Sequence, residues 1–325
     1  MRSVAALVDE LAAAVPPAAG AVVMGTGIVS IGLSLDGRET LSRILAAIAG
    51  AIWIALASQL LALGCRQRAL LVEQARSPAA LTGIAGTNVL GARLALLGWN
   101  GEAAALLAIG LLAWLVLVPW VLANWRRPTV GSSFVLTVAT ESLGVLAALL
   151  ALAYGAVWLA VAALASVGLG LAFYLFVLSA FDLRQLLVGR GDHWVSGGAL
   201  AIATLACARA AETTGALGPL RPSSGSLATA ALAIWAAAVA WLPALLLGEL
   251  VARRGTYDAR RWSTVFPLGM YAACSFAVAK VEAISGIERF ARIWIWIAFA
   301  VWVLVFAGML RRVGDVVASA LPARQ

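Results

Sequence analysis

Apolar positions in this chain fall into ten runs of spanning length. They cover approximately 16 to 35, 41 to 64, 80 to 99, 103 to 123, 134 to 153, 157 to 181, 195 to 214, 227 to 249, 263 to 284 and 291 to 310. A helix of about 20 apolar residues crosses the hydrocarbon core of a bilayer. The pattern therefore predicts ten transmembrane helices in a single domain over residues 1–325. A short amphipathic segment over 1–15 is expected on the membrane surface, because Asp9 and Glu10 interrupt its apolar residues. Residues 311–325 are expected as a cytoplasmic tail.

Polar positions add a second alternation. The first run holds Gly25, Thr26, Gly27 and Ser30; the third holds Gly83, Gly86, Thr87, Asn88 and Arg93; the fifth holds Thr137, Thr140, Glu141 and Ser142. The seventh has Gly197, Gly198, Thr204, Arg209 and Glu212, and the ninth has Ser263, Thr264, Pro267, Ser275, Lys280 and Glu282. Even-numbered runs are nearly free of such groups, and a helix of that kind can face lipid. Polar groups inside a span must turn toward protein or water. Five hairpins, each pairing one polar with one greasy helix, predict five inner helices ringed by five outer ones around a central path. Internal repetition of this kind is common in transporters. It is visible here in hydropathy, since the hairpins do not align residue by residue.

Composition agrees. Hydrophobic residues make up 63% of the chain and charged residues 12%, and the mean hydropathy is +0.98; a soluble domain keeps roughly a quarter of its residues charged. The net charge of +8 comes from arginines clustered between the runs, without the basic stripe and interleaved aromatics of a nucleic-acid surface. Arg2, Arg66, Arg68, Arg76, Arg126, Arg127, Arg184, Arg190, Arg253, Arg254, Arg260, Arg261, Arg311, Arg312 and Arg324 fall on one side, against Arg38, Arg43, Arg221, Arg289 and Arg292 on the other. The positive-inside rule then places both termini in the cytoplasm of a multi-pass cell-membrane protein.

Cys65, Cys207 and Cys274 are isolated, with no ligand spacing, so neither a disulfide framework nor a metal site is expected. His193 reads as a solvated loop residue beside Asp192. With one histidine and neither HExxH nor G-x-S-x-G, no enzymatic activity and no cofactor are expected.

Inside the spans, Gly25, Gly27, Gly83, Gly197 and Gly198 have two readings. They allow close helix packing, or they leave space along a path to which Thr26, Thr87, Asn88 and Thr140 supply uncharged hydrogen bonds. Arg93, Arg209 and Lys280 face Glu141, Glu212 and Glu282 as the obvious opposite set. The cations lie in the outer half of their spans, where they also suit an anion-attracting vestibule.

Four segments in order, VMGTGIVSIGL, SPAALTGIAGTNVLG, GDHWVSGGALAI and RRWSTVFPLGMYA, resemble the tellurite-resistance and C4-dicarboxylate transporter family, which includes slow-type anion channels, malate permeases and sulfite exporters. The resemblance implies ten helices in five hairpins with a quasi-fivefold inner ring, an anion-conducting pore and a homotrimer with one pore per subunit. It also implies that Phe266 is the pore gate, with Pro267 disturbing the helical hydrogen bonding beside it. The expected function is gated passage of small inorganic or organic anions through a central pore. The alternatives are a proton-coupled C4-dicarboxylate carrier or an exporter of sulfite or tellurite-type oxyanions.

Overall fold

The computed structural model describes residues 16–188, 191–251 and 257–320. The surface segment expected over 1–15 and the last part of the expected tail lie outside these residues. Ten helices among the described residues are long and apolar enough to cross a membrane: α1 (Gly20–Leu35), α2 (Glu39–Arg66), α3 (Thr82–Leu96), α4 (Asn100–Ala123), α5 (Val135–Tyr154), α6 (Val157–Leu178), α7 (Trp194–Ala216), α8 (Ser224–Val251), α9 (Trp262–Glu282) and α10 (Ser285–Ala320). They match the ten apolar runs in number and order. The last is longer than the expected 291 to 310 at both ends, starting at Ser285 and running through Arg311, Arg312 and Gly314 to Ala320, where no proline interrupts it.

Burial separates the two sets of helices. Between 67% and 100% of each odd-numbered span is buried, against 17% to 28% of each even-numbered one. Each odd helix packs against the even helix that follows it, forming a hairpin. The odd helices also touch one another in a closed order, α1 to α3, α3 to α5, α5 to α7, α7 to α9 and α9 back to α1. The polar-inside, apolar-outside alternation thus corresponds to an inner and an outer layer. Glycines bring the inner helices close: a side chain at Gly25 would meet Trp262 and Val265 of α9, and one at Gly269 would meet Ile28 and Val29 of α1.

The two ends of the bundle are built differently. At the arginine-rich end the connections are long, and α1, α3, α5 and α9 are each entered through a 3-10 turn. The Ser77 and Asp258 side chains cap two of these turns by accepting from the backbone N–H of Ala79 and Arg260. At the opposite end, four inner helices close with the same motif. Arg38 N–H donates to Leu33 C=O at 2.8 Å, Trp99 to Leu94 at 2.9 Å, Ala156 to Ala151 at 3.0 Å and Ile284 to Ala279 at 3.2 Å. In each case a residue with positive φ precedes the donor, namely Gly37, Gly98, Gly155 and Ala283. This is the Schellman ending, which turns the chain within a few residues.

Candidate functional site

Where the five inner helices converge, one small cavity has room for roughly one water molecule. It is lined by Ile28 and Ile31 of α1, Asn88, Val89 and Ala92 of α3, Ser142 and Val145 of α5, Ile202 and Leu205 of α7, and Met270 of α9. Every inner helix contributes. Apart from Asn88 and Ser142 the lining is apolar, so the centre of the bundle is a greasy girdle one or two side chains deep.

The lining residues expose a register that composition conceals. On α1, α3 and α5 they stand two and five positions after Thr26, Thr87 and Thr140 respectively. The pairs are Ile28 and Ile31, Val89 and Ala92, and Ser142 and Val145. Ile202 and Leu205 on α7 keep the same separation of three, so four of the inner helices share this spacing, while α3 adds Asn88 and α9 contributes Met270 alone. Phe266, completely buried, lies one helical turn before Met270 on the same face of α9. Positions one turn before the girdle on the other inner helices are Met24, Ala85, Val138 and Gly198, all buried. Two of these are very small, and the space beside Gly198 is taken by the ring of Pro267.

The threonines themselves turn outward. Trp302 of α10 donates its indole N–H to Thr26 Oγ1 at 3.0 Å, Trp53 of α2 to Thr87 Oγ1 at 2.8 Å, and Trp114 of α4 to Thr140 Oγ1 at 2.9 Å. Trp235 of α8 donates likewise to Ser275 Oγ of α9 at 2.8 Å. In each case the tryptophan belongs to the hairpin before the hydroxyl it meets, counting α10 as preceding α1. Thr87, Thr140 and Ser275 pass the bond on to the backbone carbonyls of Gly83, Leu136 and Tyr271 four residues earlier. An indole on an outer helix is thereby anchored to the backbone of an inner helix of the next hairpin.

The other candidates are spread over several environments. A side chain at Gly27 would meet Val89, one at Gly197 the Tyr271 hydroxyl, and one at Gly198 the ring of Pro267. These three glycines serve close packing between inner helices. Gly83 is exposed, with open space where a side chain would stand. Asn88 donates to Ser142 Oγ at 3.1 Å across the girdle. Pro267 leaves Ser263 C=O without its usual helical donor, yet α9 continues through Glu282.

The charges pair only partly as the expected set has it. Arg93 is 1% exposed and reaches Glu39 at the start of α2 at 2.7 Å, with Ser30 Oγ as a second acceptor at 3.2 Å. Arg209 and Lys280 share one carboxylate, Glu212, at 2.6 and 2.9 Å. Glu282 is half-buried and takes no ion-pair partner among the described residues, and neither does Glu141, which is fully buried. The expected set holds for Arg209 and Lys280 on Glu212 and fails for Arg93, which is long enough to reach the neighbouring outer helix, leaving Glu141 and Glu282 aside. Asp36, Glu39 and Glu212 are each bracketed by two cations, Arg38 with Arg292, Arg43 with Arg93, and Arg209 with Lys280. His193, expected in solvent, is 1% exposed and holds Leu245 C=O at 3.3 Å. The signal missed there was Trp194 beside it, which buries both residues against α8.

A family model for the voltage-dependent anion channels matches residues 14–310, which takes in all five hairpins. The chain belongs to the voltage-dependent anion channel family. This agrees with the family resemblance carried by the four segments. Among curated proteins, the chain is 34% identical over 124 residues to uncharacterized membrane proteins of two strains of Mycobacterium tuberculosis, CDC 1551 / Oshkosh and ATCC 25618 / H37Rv. That match covers 36% of this chain and 62% of each relative. Its ten apolar helices are those of a multi-pass membrane protein.

Proposed function

We propose that the chain forms a gated anion pore whose wall is the inner ring of α1, α3, α5, α7 and α9 in quasi-fivefold arrangement. The observation that carries this reading is the apolar girdle to which all five inner helices contribute. A hydrophobic constriction blocks ions by excluding water, and it opens when side chains withdraw. Phe266 is the main gate, one turn on the arginine-rich side of Met270. Asn88, whose amide has a second N–H beyond the one given to Ser142, offers an uncharged hydrogen bond to a passing anion, while the excess of arginine at the arginine-rich end draws anions to that mouth. Following the family resemblance, the assembly is a homotrimer in the cell membrane with both termini cytoplasmic and one pore per subunit.

The deciding experiment is a flux screen in proteoliposomes across chloride, nitrate, sulfite, malate and succinate. Flux that rises in proportion to concentration supports the pore. Saturating uptake of a dicarboxylate or sulfite that follows a pH gradient supports a proton-coupled carrier or oxyanion exporter instead, a reading favoured by the unpaired Glu141. Absence of flux for every anion overturns both.

A further inference from the structure

Carboxylates packed into this bundle have cationic partners, Asp36 with Arg292, Glu39 with Arg93, Glu212 with Arg209, and Glu249 with Arg261. Glu282, half-buried at the end of α9, and Glu141 take no such partner among the described residues, and of the two only Glu141 is fully buried. It is 0% exposed, and neither of its oxygens has a hydrogen-bond partner. It projects from α5 onto Gly170 of α6, where any side chain would collide with the carboxyl group. One turn earlier on the same face of α5, the Thr137 hydroxyl is also buried and without a partner. Tyr174, one turn beyond Gly170 on α6, is buried at the level of Phe134, with ring centroids 5.1 Å apart. The seam between α5 and α6 thus holds a row of hidden polar groups leading from the arginine-rich end to mid-bundle.

The helices packed against α5 offer Glu141 no charge partner. Arg93 on α3 is committed to Glu39, Arg209 on α7 to Glu212, and Glu102 on α4 is exposed at the arginine-poor end. Cys207 on α7 and Tyr174 on α6 are the remaining titratable groups on these helices, apart from Tyr154 at the exposed end of α5 itself. A carboxyl group in the interior of a membrane protein without a structural partner marks a proton route. Its neighbour Ser142 faces the girdle and receives Asn88 there. Adjacent residues of one helix therefore face the seam and the conduction path.

We propose that Glu141 is a proton-binding site reached from the arginine-rich side along the α5/α6 seam past Thr137, and that its occupancy adjusts the girdle through Ser142. The proton is taken from water at that end and returned to it, so no other reactant is consumed. This inference rests on the pore reading.

The test uses the full chain in proteoliposomes with chloride and malate as probe anions, comparing it with Glu141→Gln across a pH series. The native chain should change its flux by about tenfold over the series, since a single proton site shifts occupancy up to about tenfold per pH unit. Glu141→Gln should keep conducting with a flat profile. A variant that conducts with the native profile overturns the proton site and leaves the pore intact. Infrared difference spectroscopy of the carboxyl stretch reads the site without any flux. A band that follows pH, disappears in Glu141→Gln and moves in Glu141→Asp supports the site even where no anion passes and the pore reading fails. A native spectrum with no such band overturns the site, whether or not the variants fold.

Discussion

Trp53 and Thr87 join two successive hairpins across the outer and inner layers: the indole N–H of α2 donates to the hydroxyl of α3 at 2.8 Å. Since Thr87 also donates to Gly83 C=O, the tryptophan is tied to inner-helix backbone. Trp114 with Thr140, Trp235 with Ser275 and Trp302 with Thr26 repeat the arrangement. Replacing Trp53 by Phe keeps most of the apolar volume and removes the donor. Thermal unfolding in detergent should show a loss of about 1 kcal/mol, the net worth of one such bond. A double-mutant cycle with Thr87→Val should return a coupling of about 0.5 to 1.5 kcal/mol. Strict additivity of the two changes would show that the bond contributes nothing.

The girdle and Phe266 can be separated by flux measurements. Phe266→Ala is expected to raise anion flux by about an order of magnitude by widening a hydrophobic constriction. Met270→Ala should raise it less, because four other helices still fill that level. If Met270→Ala opens the pathway and Phe266→Ala leaves it unchanged, the closure lies at the girdle alone.

Glu212 and Lys280 should respond unequally to mutation although they form one ion pair. Glu212→Gln strands Arg209, whose side chain is 9% exposed, and removing one partner of a buried pair costs about 3 to 5 kcal/mol. Lys280 is 72% exposed, so Lys280→Met should change stability by no more than about 0.5 kcal/mol. Chemical denaturation of both variants in the same detergent checks the contrast. Equal losses would mean that Lys280, rather than Arg209, is the main partner of the carboxylate.

Ala283 carries φ of 55° at the end of α9, where the matching turns use Gly37, Gly98 and Gly155. An L-residue with a side chain is disfavoured in that region by about 1 to 2 kcal/mol. Ala283→Gly should therefore stabilise the protein by about 1 kcal/mol, less the backbone entropy of glycine. A fall in melting temperature would mean that the alanine methyl packs well enough to outweigh the strain.

Reading the sequence captured what depends on hydrophobicity along one helix. Spans, hairpins and the inner and outer layers follow from whether Thr26, Asn88 or Glu141 interrupts an apolar run. Contacts that depend on rotation about a helix were beyond it. Thr87 and Val89 are two residues apart, yet one bonds an outer helix and the other lines the cavity; nothing in composition orients them. Ile28, Ile202, Leu205 and Met270 are apolar residues in apolar runs, and nothing in their own chemistry sets them apart as lining of the cavity. The i+2 and i+5 spacing after the first three inner threonines was available in the chain, but it acquires meaning only once the indoles fix which face is outward. Glu39 was missed as the partner of Arg93 because it lies at the junction of two runs.

The Schellman turns at the arginine-poor end leave only residues 36–38, 97–99, 155–156 and 283–284 between the helices of four hairpins. Segments of two or three residues cannot fold over the mouth as a flap. Access past these four turns is thus a matter of side-chain rotation in the bundle, which runs on the picosecond to nanosecond scale in exposed groups and slows with packing, and only residues 217–223 between α7 and α8 form a longer connection at that end. Fluorescent or spin labels on these turns should report nearly the same mobility whether the pathway conducts or not.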